Sequence, residues 1–206
     1  MIGIILAAGR GSRLGRYTLH QPKGLVKVHN KPLIEWQINA FKKAGVKKIY
    51  IITGYRKNKF KYNCKYIHNK RWKNTNMFFS LSLADKLLKK NTCIISYSDI
   101  IYGHKIIREM INYNKDISIS YDPEWIKLWK KRFNNPLEDA ESFRIFNRKI
   151  IEIGNKIKKI SRVDGQYMGI LKINPEGWKK IQFATKKLTD KSLRKIDMTS
   201  MLQYLL

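Results

Sequence analysis

Short apolar runs alternate with stretches of helical spacing along most of the chain. The first run, residues 2–8, is apolar throughout and ends at Gly9, which predicts a short buried strand. Similar apolar clusters predict further strands over residues 46–53, 64–68, 92–97 and 117–121. Apolar residues at helical spacing predict helices over residues 31–45, with Pro32 near the start, and over residues 76–90 and 105–113.

This alternation predicts an α/β fold, in which an open, Rossmann-like, mostly parallel mixed sheet is flanked by helices. Ligands of such sheets bind at the carboxyl ends of the strands. Three features directly follow predicted strands: the glycine- and arginine-rich segment 9–13, Gly54 and Asp99. We therefore expect these features to lie along one edge of the sheet, where a ligand would bind.

The pattern changes after Asp122. Strands are predicted over residues 142–146 and 150–153, around a turn at Asn147, and over residues 167–173. A helix is predicted to begin at Pro175, and Asp197 is typical of the N-cap of a final helix. Because no linker separates the two parts, we predict one domain over residues 1–206, with residues 122–206 as an insertion and a lid.

The charge balance of the chain suggests a competing class of partner. The chain has 43 Lys and Arg against 15 Asp and Glu, a formal charge of +28, which makes nucleic acid or a membrane surface a candidate partner. The basic residues are spread from Arg10 to Lys195 without a separate block, however, and this spread favours a general compositional bias.

Cysteine content and hydropathy narrow the cellular setting. The only two cysteines, Cys64 and Cys93, cannot build a disulfide framework. No apolar segment approaches the ~20 residues that a membrane-spanning helix needs. We therefore expect a cytoplasmic protein with no membrane span.

The loop after the first strand contains three glycines and two arginines. It lacks the Gly-Lys-Ser/Thr ending of a Walker A loop, which excludes that motif. The spacing of Gly9, Gly11 and Gly15 is one residue too long for a dinucleotide fingerprint, and no helix is predicted after it. Backbone N–H groups beside glycines, together with Arg10 and Arg13, suit a triphosphate, although a cationic surface turn remains an alternative.

A lysine held at a stiff position follows this loop. Pro22 restricts the backbone immediately before Lys23, whose charge could neutralise a transferring phosphoryl group. With L-A-A-G-R-G-S-R-L, then P-K-G-L, then the strand-end aspartate of Y-S-D-I, the chain resembles nucleotidyltransferases that join an NTP to a phosphorylated small molecule. The order K-P-L-I-E-W-Q, I-I-T-G-Y, T-N-M-F-F-S-L and D-M-T is more similar to the phosphocholine cytidylyltransferase branch than to the sugar-1-phosphate enzymes.

This resemblance implies the nucleotide-diphospho-sugar transferase type of fold, with an NTP-binding half at residues 1–121. It implies that Arg13, Lys23 and Asp99 are catalytic, and that Asp99 binds Mg²⁺, a hard cation that prefers carboxylate oxygen. An N-cap for the helix predicted at 105–113 is the alternative role of Asp99. The nucleotide contacts that the resemblance implies come from Leu6, Ala7, Ala8, Gly9, Gly11, Ser12, Arg13, Lys23, Asn76 and Ser80.

The predicted metal site lacks one ligand that members of this family have. Members have a second metal-binding aspartate in a strand near the carboxyl end, and no such strand follows Asp197. We therefore expect a half shortened at its carboxyl end. Either another carboxylate, such as Asp122, Glu141 or Asp164, completes the site, or catalysis is impaired.

Residues 122–206 are expected to bind the acceptor. Their mixture of aromatic and acidic side chains could hold a cationic amine by cation–π contacts and ion pairs, as phosphocholine or a phosphorylated or phosphonate amine would require. The alternative is that the tryptophans lie in the core and the acids pair with surface lysines. The predicted acceptor residues are Trp125, Glu138, Asp139, Glu141, Gln166 and Tyr167.

The predicted reaction is attack by an acceptor phosphate on the α-phosphorus of an NTP, with CTP favoured, and release of pyrophosphate. Because the nucleophile is already anionic, the reaction needs positioning and charge neutralisation more than a general base. Two alternatives stay open: a sugar-1-phosphate nucleotidyltransferase using UTP or dTTP, and a catalytically impaired scaffold that binds nucleic acid. A homodimer is compatible with each of them.

Overall fold

A computed structural model describes residues 1–206 as ten strands and eight helices. The strands are β1 (Ile2–Ala7), β2 (Lys27–Val28), β3 (Lys31–Pro32), β4 (Lys48–Thr53), β5 (Lys65–His68), β6 (Cys93–Tyr97), β7 (Ile117–Asp122), β8 (Glu141–Phe146), β9 (Lys149–Lys156) and β10 (Gln166–Ile173). The helices are α1 (Leu33–Lys43), α2 (Met77–Ser82), α3 (Asp85–Leu88), α4 (His104–Asn112), α5 (Trp125–Arg132), α6 (Pro175–Thr185), α7 (Asp190–Lys195) and α8 (Met198–Gln203).

Six of the strands form the central sheet, in the order β5-β4-β1-β6-β10-β7. The pairs β4–β5, β1–β4 and β1–β6 are parallel, whereas β10 is antiparallel to both of its neighbours. This arrangement confirms the predicted mostly parallel mixed sheet. It also brings the carboxyl ends of β1, β4, β5 and β6 to one edge, where the predicted ligand site begins.

The second half of the chain completes this sheet as well as covering it. Strand β10 inserts between β6 and β7, so residues from both halves share one hydrogen-bonded sheet. The remaining strands, β8 and β9, form a separate hairpin whose turn places Asn147 and Arg148 at φ 48° and 59°. This hairpin packs against α8 and beside β10.

Buried side chains fill both faces of the sheet. Alternate residues of β1 point to opposite faces, so Ile4 and Leu6 join a cluster of 22 buried residues, while Ile5 and Ala7 join a cluster of 13. Every residue of β1 is therefore buried, as a central strand covered by helices on both faces requires. Burial of this strand fixes the position of the loop that follows it.

Several predicted boundaries differ from the structure. The helix predicted over 31–45 begins at Leu33, because Lys31 and Pro32 pair with β2 instead. The helix predicted over 76–90 is divided into α2 and α3, and the break lies at Ala84, with φ −90° and ψ 15°. The six-residue helix α7 was not predicted, because it has few apolar residues to show a helical period. No helix has the length and apolarity that a membrane span requires.

Candidate active site

The glycine loop is held in a defined curve immediately after β1. Thr18, which is fully buried, donates from its Oγ1 to the carbonyl oxygens of Gly11 and Gly15 at 3.0 and 3.3 Å. Gly11 has φ 76°, and a Cβ at this position would lie 2.7 Å from Cβ of Lys23. The loop therefore needs glycine at position 11 both for its backbone conformation and for the close approach of Lys23.

Lys23 lies at the base of this loop and forms an ion pair with Asp99. Pro22 precedes it with φ −63°, and residues Lys23–Leu25 form a single 3-10 turn. Gly24 in this turn packs on Ser98, where an added Cβ would be 3.1 Å from the Ser98 Cβ. The two predicted catalytic residues from separate parts of the chain therefore meet at the carboxyl end of β6, and each side chain is 28% exposed.

Asp99 does not cap a helix. The residue at the N-cap of α4 is Gly103, and no side chain bonds the first turn of that helix. The carboxylate of Asp99 instead pairs with Lys23, a cation that a phosphate could also attract.

Arg10 has an unsatisfied donor inside the loop. Its Nε is buried and has no hydrogen-bond partner, and its guanidinium lies over the ring of Tyr55 at 5.9 Å. A buried guanidinium N–H without an acceptor is costly unless a ligand supplies one. The loop thus offers a charged donor where a phosphate oxygen would satisfy it, and this geometry favours the phosphate-binding role over a simple surface turn.

An aromatic wall beside the loop was not predicted. Gly54 ends β4 so close to Ala8 that an added Cβ would lie 2.5 Å from the carbonyl oxygen of Ala8. The next residue, Tyr55, donates its backbone N–H to the same oxygen at 2.9 Å, and its ring lies 5.2 Å from that of Trp72. Gly54 was the only signal in the sequence, because nothing local indicates that Trp72 returns to this place.

Asn76 and Ser80 belong to a hydrogen-bond network at the start of α2. Ser80 is 5% exposed and its Oγ accepts from Nδ2 of Asn69 at 3.0 Å. The side-chain amide of Asn76 donates to the carbonyl oxygen of Lys195, in the segment that leads to α8. Both residues therefore connect the nucleotide half to the carboxyl-terminal helices, and their contact with a nucleotide stays a prediction.

The charges of three carboxylates from distant parts of the chain act on Tyr97. Burial raises the pKa of the Tyr97 phenol, and the charges of Asp197, Asp99 and Glu141 raise it further. Burial also raises the pKa of Glu141, with the charge of Asp197 adding to the effect. Asp197 is the N-cap of α8, as predicted, and its Oδ1 accepts from the backbone N–H of Ser200 at 2.8 Å.

The other two carboxylates considered for the metal site also accept hydrogen bonds from the backbone. Asp122 accepts from the backbone N–H of Glu124 at 2.8 Å, and Asp164 accepts from that of Ile145 at 2.8 Å while it pairs with Arg144. No group of three or more His, Cys, Asp and Glu side chains is placed to hold a metal ion by itself. Mg²⁺ commonly needs only one or two carboxylates together with substrate phosphates, so the oxygen donors of Asp99, Glu141 and Asp197 fit it chemically.

The predicted acceptor residues fall into three different environments. Trp125 is 2% exposed in the core and contacts Trp129 edge to face at 5.8 Å, so its ring has no free surface for a ligand. Glu138 and Asp139 are exposed on the surface. Gln166 is buried and donates from Nε2 to the backbone oxygen of Glu141 at 2.8 Å, which positions the start of β8.

Tyr167 lies against Tyr97, the last residue of β6. Its ring contacts that of Tyr97 edge to face, with centroids 5.7 Å apart. Its hydroxyl is buried and has no hydrogen-bond partner, an arrangement that costs free energy unless a ligand completes it. The Tyr97–Tyr167 pair is therefore partly buried, and the contact of Tyr167 with an acceptor stays a prediction.

Comparison with known proteins supports the fold and the family resemblance. The sequence model of the MobA-like NTP transferase domain matches residues 3–142. The chain is 40% identical over 185 residues to CTP:phosphoglutamine cytidylyltransferase of Campylobacter jejuni, a match covering 84% of this chain and 73% of that protein. It is also 40% identical over 107 residues to choline-phosphate cytidylyltransferase of Streptococcus pneumoniae, which covers 50% of this chain and 46% of the relative, about half its length.

Solved structures share the architecture at low sequence identity. The inositol-1-phosphate CTP transferase from T. maritima matches with a TM-score of 0.75 and 18% identity, covering 98% of this chain and 79% of that one. The CTP:phosphocholine cytidylyltransferase from Streptococcus pneumoniae matches with a TM-score of 0.62 and 21% identity, covering 96% and 90%. With its glycine loop, Lys23 and Asp99 in the order of the family and most of its length matched, the chain belongs to the MobA-like NTP transferase domain family and is a nucleotidyltransferase.

Proposed function

We propose that the protein is a Mg²⁺-dependent cytidylyltransferase that joins CTP to a small phosphorylated or phosphonate acceptor and releases pyrophosphate. The observation that carries this proposal is the meeting of Lys23 and Asp99 beside the glycine loop. A cation and a metal-binding carboxylate are both needed where negative charge accumulates on a triphosphate. Relatives named for CTP and for phosphoglutamine, choline phosphate or 2-aminoethylphosphonate support the choice of nucleotide and of acceptor class.

In the proposed reaction an acceptor oxygen attacks the α-phosphorus of CTP, and the bond from that phosphorus to the bridging oxygen breaks. The acceptor oxygen is anionic, so no residue has to remove a proton. Arg10 and Arg13 hold the triphosphate, and the unpartnered Nε of Arg10 supports this role. Lys23 leaves its pairing with Asp99 to neutralise charge on the phosphates, which frees the carboxylate.

The metal would be held by Asp99 together with Asp197 or Glu141. When bound, Mg²⁺ would screen the repulsion between the two phosphate-bearing substrates. Glu141 and Asp197 take part in none of the ion pairs of the structure, and Oδ1 of Asp197 accepts the N-cap hydrogen bond from Ser200. Asp164 is less suited because it pairs with Arg144, whereas Asp122 stays an alternative.

The acceptor would bind against Tyr167 and Glu141. An amine-bearing acceptor suits this surface, because its cation can contact an aromatic ring and a carboxylate together. Trp125 is excluded from this proposed contact by its burial in the core. Glu138 and Asp139 remain as outer residues that could attract a cation over a longer distance.

Pyrophosphate release tests the proposal directly. The protein is incubated with Mg²⁺, each of CTP, UTP, dTTP, ATP and GTP, and a panel containing phosphocholine, a phosphorylated amino acid, 2-aminoethylphosphonate and glucose-1-phosphate. We expect release with CTP and an amine-bearing acceptor, and none without Mg²⁺. Release only with UTP or dTTP and the sugar phosphate would overturn the choice of substrates, and no release from any pair would overturn the activity.

A further inference from the structure

A second cationic site lies outside the glycine loop, in a cleft of about 530 Å³ between residues 71–75 and α7. Its walls have no hydrophobic side chain. Four of its seven lining residues are cations, namely Arg71, Lys191, Arg194 and Lys195, and one, Asp190, is an acid, which leaves a formal charge of 4 − 1 = +3. This density is well above that of the whole chain, in which 43 of 206 residues are Lys or Arg.

The positive charge of the cleft is largely uncompensated. Arg71, Lys191 and Lys195 take part in none of the ion pairs of the structure. Arg194 lies 3.5 Å from Asp190, but the Asp190 side chain is 90% exposed, so water screens this pair. Gathering like charges in this way costs free energy, which an anion bound between them would offset.

The two walls of the cleft are joined to each other before any ligand arrives. The backbone N–H of Asn76, just beyond the first wall, donates to the carbonyl oxygen of Arg194 at 2.8 Å, and its side chain donates to that of Lys195. Within the first wall, the Thr75 hydroxyl donates to the carbonyl oxygen of Arg71 at 3.0 Å and accepts from Asn69 at 3.0 Å. The backbones carrying the cations are therefore fixed, which lowers the entropic cost of binding.

The chemistry of the lining selects the class of ligand. A purely polar cleft cannot gain free energy from burying a nucleobase or an apolar side chain, so charge must supply the affinity. Arg71 on one wall and Arg194 on the other present planar guanidinium groups, which pair with phosphate through two parallel hydrogen bonds. We propose that this cleft is a second anion site, separate from the glycine loop, and that it binds a phosphate-bearing ligand.

The phosphate could come from either of two sources. Trp72, which follows the lining residue Arg71 in the chain, packs on Tyr55 beside the glycine loop, so a phosphate of a substrate bound in the active site could extend into the cleft. A free phosphate or pyrophosphate in solution has the same charge chemistry. Both sources use the same cations, and steady-state kinetics distinguishes them.

Calorimetric titration with inorganic pyrophosphate tests the site without turnover. The titration uses an Arg13→Ala/Lys23→Ala background, which weakens binding at the glycine loop. Two further variants are made in this background. The cleft triple is Arg71→Gln/Lys191→Gln/Arg194→Gln, and the control triple is Lys158→Gln/Lys159→Gln/Lys186→Gln. The control removes the same charge from exposed positions outside the cleft that make no ion pair.

We expect the cleft triple to raise the pyrophosphate Kd roughly tenfold, because three partly exposed charge contacts are lost together. The control triple should change the Kd less than twofold. Equal Kd values for the two triples would overturn the site. If the cleft triple does not fold, the single Lys191→Gln variant on the exposed face of α7 should still weaken binding about twofold relative to Lys158→Gln, and equality of these single variants would also overturn it.

Kinetics with the intact glycine loop then identifies the source of the phosphate. A raised KM for CTP or the acceptor in the cleft triple means that a substrate phosphate occupies the cleft, and an unchanged KM together with a weakened Kd means a free anion. Because the titration needs no activity, failure of the proposed reaction and failure of this site give different results.

Discussion

The two halves of the molecule build their parts of the site in different ways. In residues 1–121, the glycine loop, Lys23 and Asp99 each lie directly after a central strand or in a short turn, and backbone geometry positions them. In residues 122–206, the relevant side chains come from three separate elements, with Glu141 on β8, Tyr167 on β10 and Asp197 before α8. The candidate residues of the first half belong to local motifs, and those of the second half come together from separate elements.

This difference shows which parts of a site tolerate change. A loop that binds through its backbone depends on glycine and on one or two cations, so single substitutions there should have large effects. A convergent surface divides its affinity among several side chains, so each contributes less, and its core residues matter chiefly for folding. The following predictions test this contrast.

Removing the charge at position 23 should have the largest effect. Lys23→Ala should lower kcat/KM for pyrophosphate release on the order of 10²- to 10³-fold, because one preorganised charge facing the phosphates is lost. Lys27→Ala, at an exposed position on β2, is the matched control and should stay within about twofold. Full activity in Lys23→Ala would contradict the catalytic role.

Trp125 should matter for folding and not for the acceptor. Trp125→Ala should lower the free energy of unfolding by about 3–5 kcal/mol, measured by urea denaturation, because a large ring is removed from the core. Trp125→Phe should restore much of this stability, and it should leave the KM for the acceptor unchanged. A raised KM for the acceptor at wild-type stability would instead show that Trp125 contacts the acceptor.

Substitutions at Gly11 and Gly15 distinguish the effect of backbone strain from the effect of a steric clash. Both have positive φ, but only at Gly11 would a Cβ meet another side chain, that of Lys23. Gly11→Ala should therefore raise the KM for CTP by roughly tenfold, and Gly15→Ala, with strain alone, by less. Equal effects of the two substitutions would show that the approach to Lys23 is unimportant.

Tyr167→Phe should give the smallest effect. It tests whether side chains from separate elements of residues 122–206 share the binding of the acceptor. We expect the KM for the acceptor to rise about threefold to tenfold while the KM for CTP stays constant, because only a hydroxyl facing the acceptor is lost. The free energy of unfolding should not fall, since this buried hydroxyl has no partner in the structure. Tyr121→Phe, at a ring stacked on Phe143, is the control and should leave both KM values unchanged.

Much of the fold was predictable, because its signals are local. The apolar run of β1, the β8–β9 hairpin around Asn147 and the N-cap at Asp197 all appear in the structure. The break at Ala84 was not predictable, since the apolar spacing continues through it. Asp85 follows the break and accepts from the indole of Trp178 at 2.9 Å, a contact with a helix almost a hundred residues later in the chain.

The candidate site shows the same difference between residues with local sequence signals and contacts that are distant in the chain. Lys23 and Asp99 were identified from motifs and strand ends, and the structure brings them into contact. The effect of the Asp197 charge on Tyr97 and the aromatic wall of Tyr55 and Trp72 had no sequence signal that could be separated from core packing. Aromatic and acidic residues are common in both settings, so composition alone could not distinguish Trp125 in the core from Tyr167 beside Tyr97.

By itself, the sequence determined the class of sheet, the position of the glycine loop and the family, because hydrophobic period and glycine spacing act over a few residues. Only the tertiary structure decided which carboxylates and rings face that loop. The reason is the strand order: β10 inserts between β6 and β7, and this non-local pairing brings Tyr167 to Tyr97. Such a pairing depends on the packing of the whole sheet, which no short stretch of sequence contains.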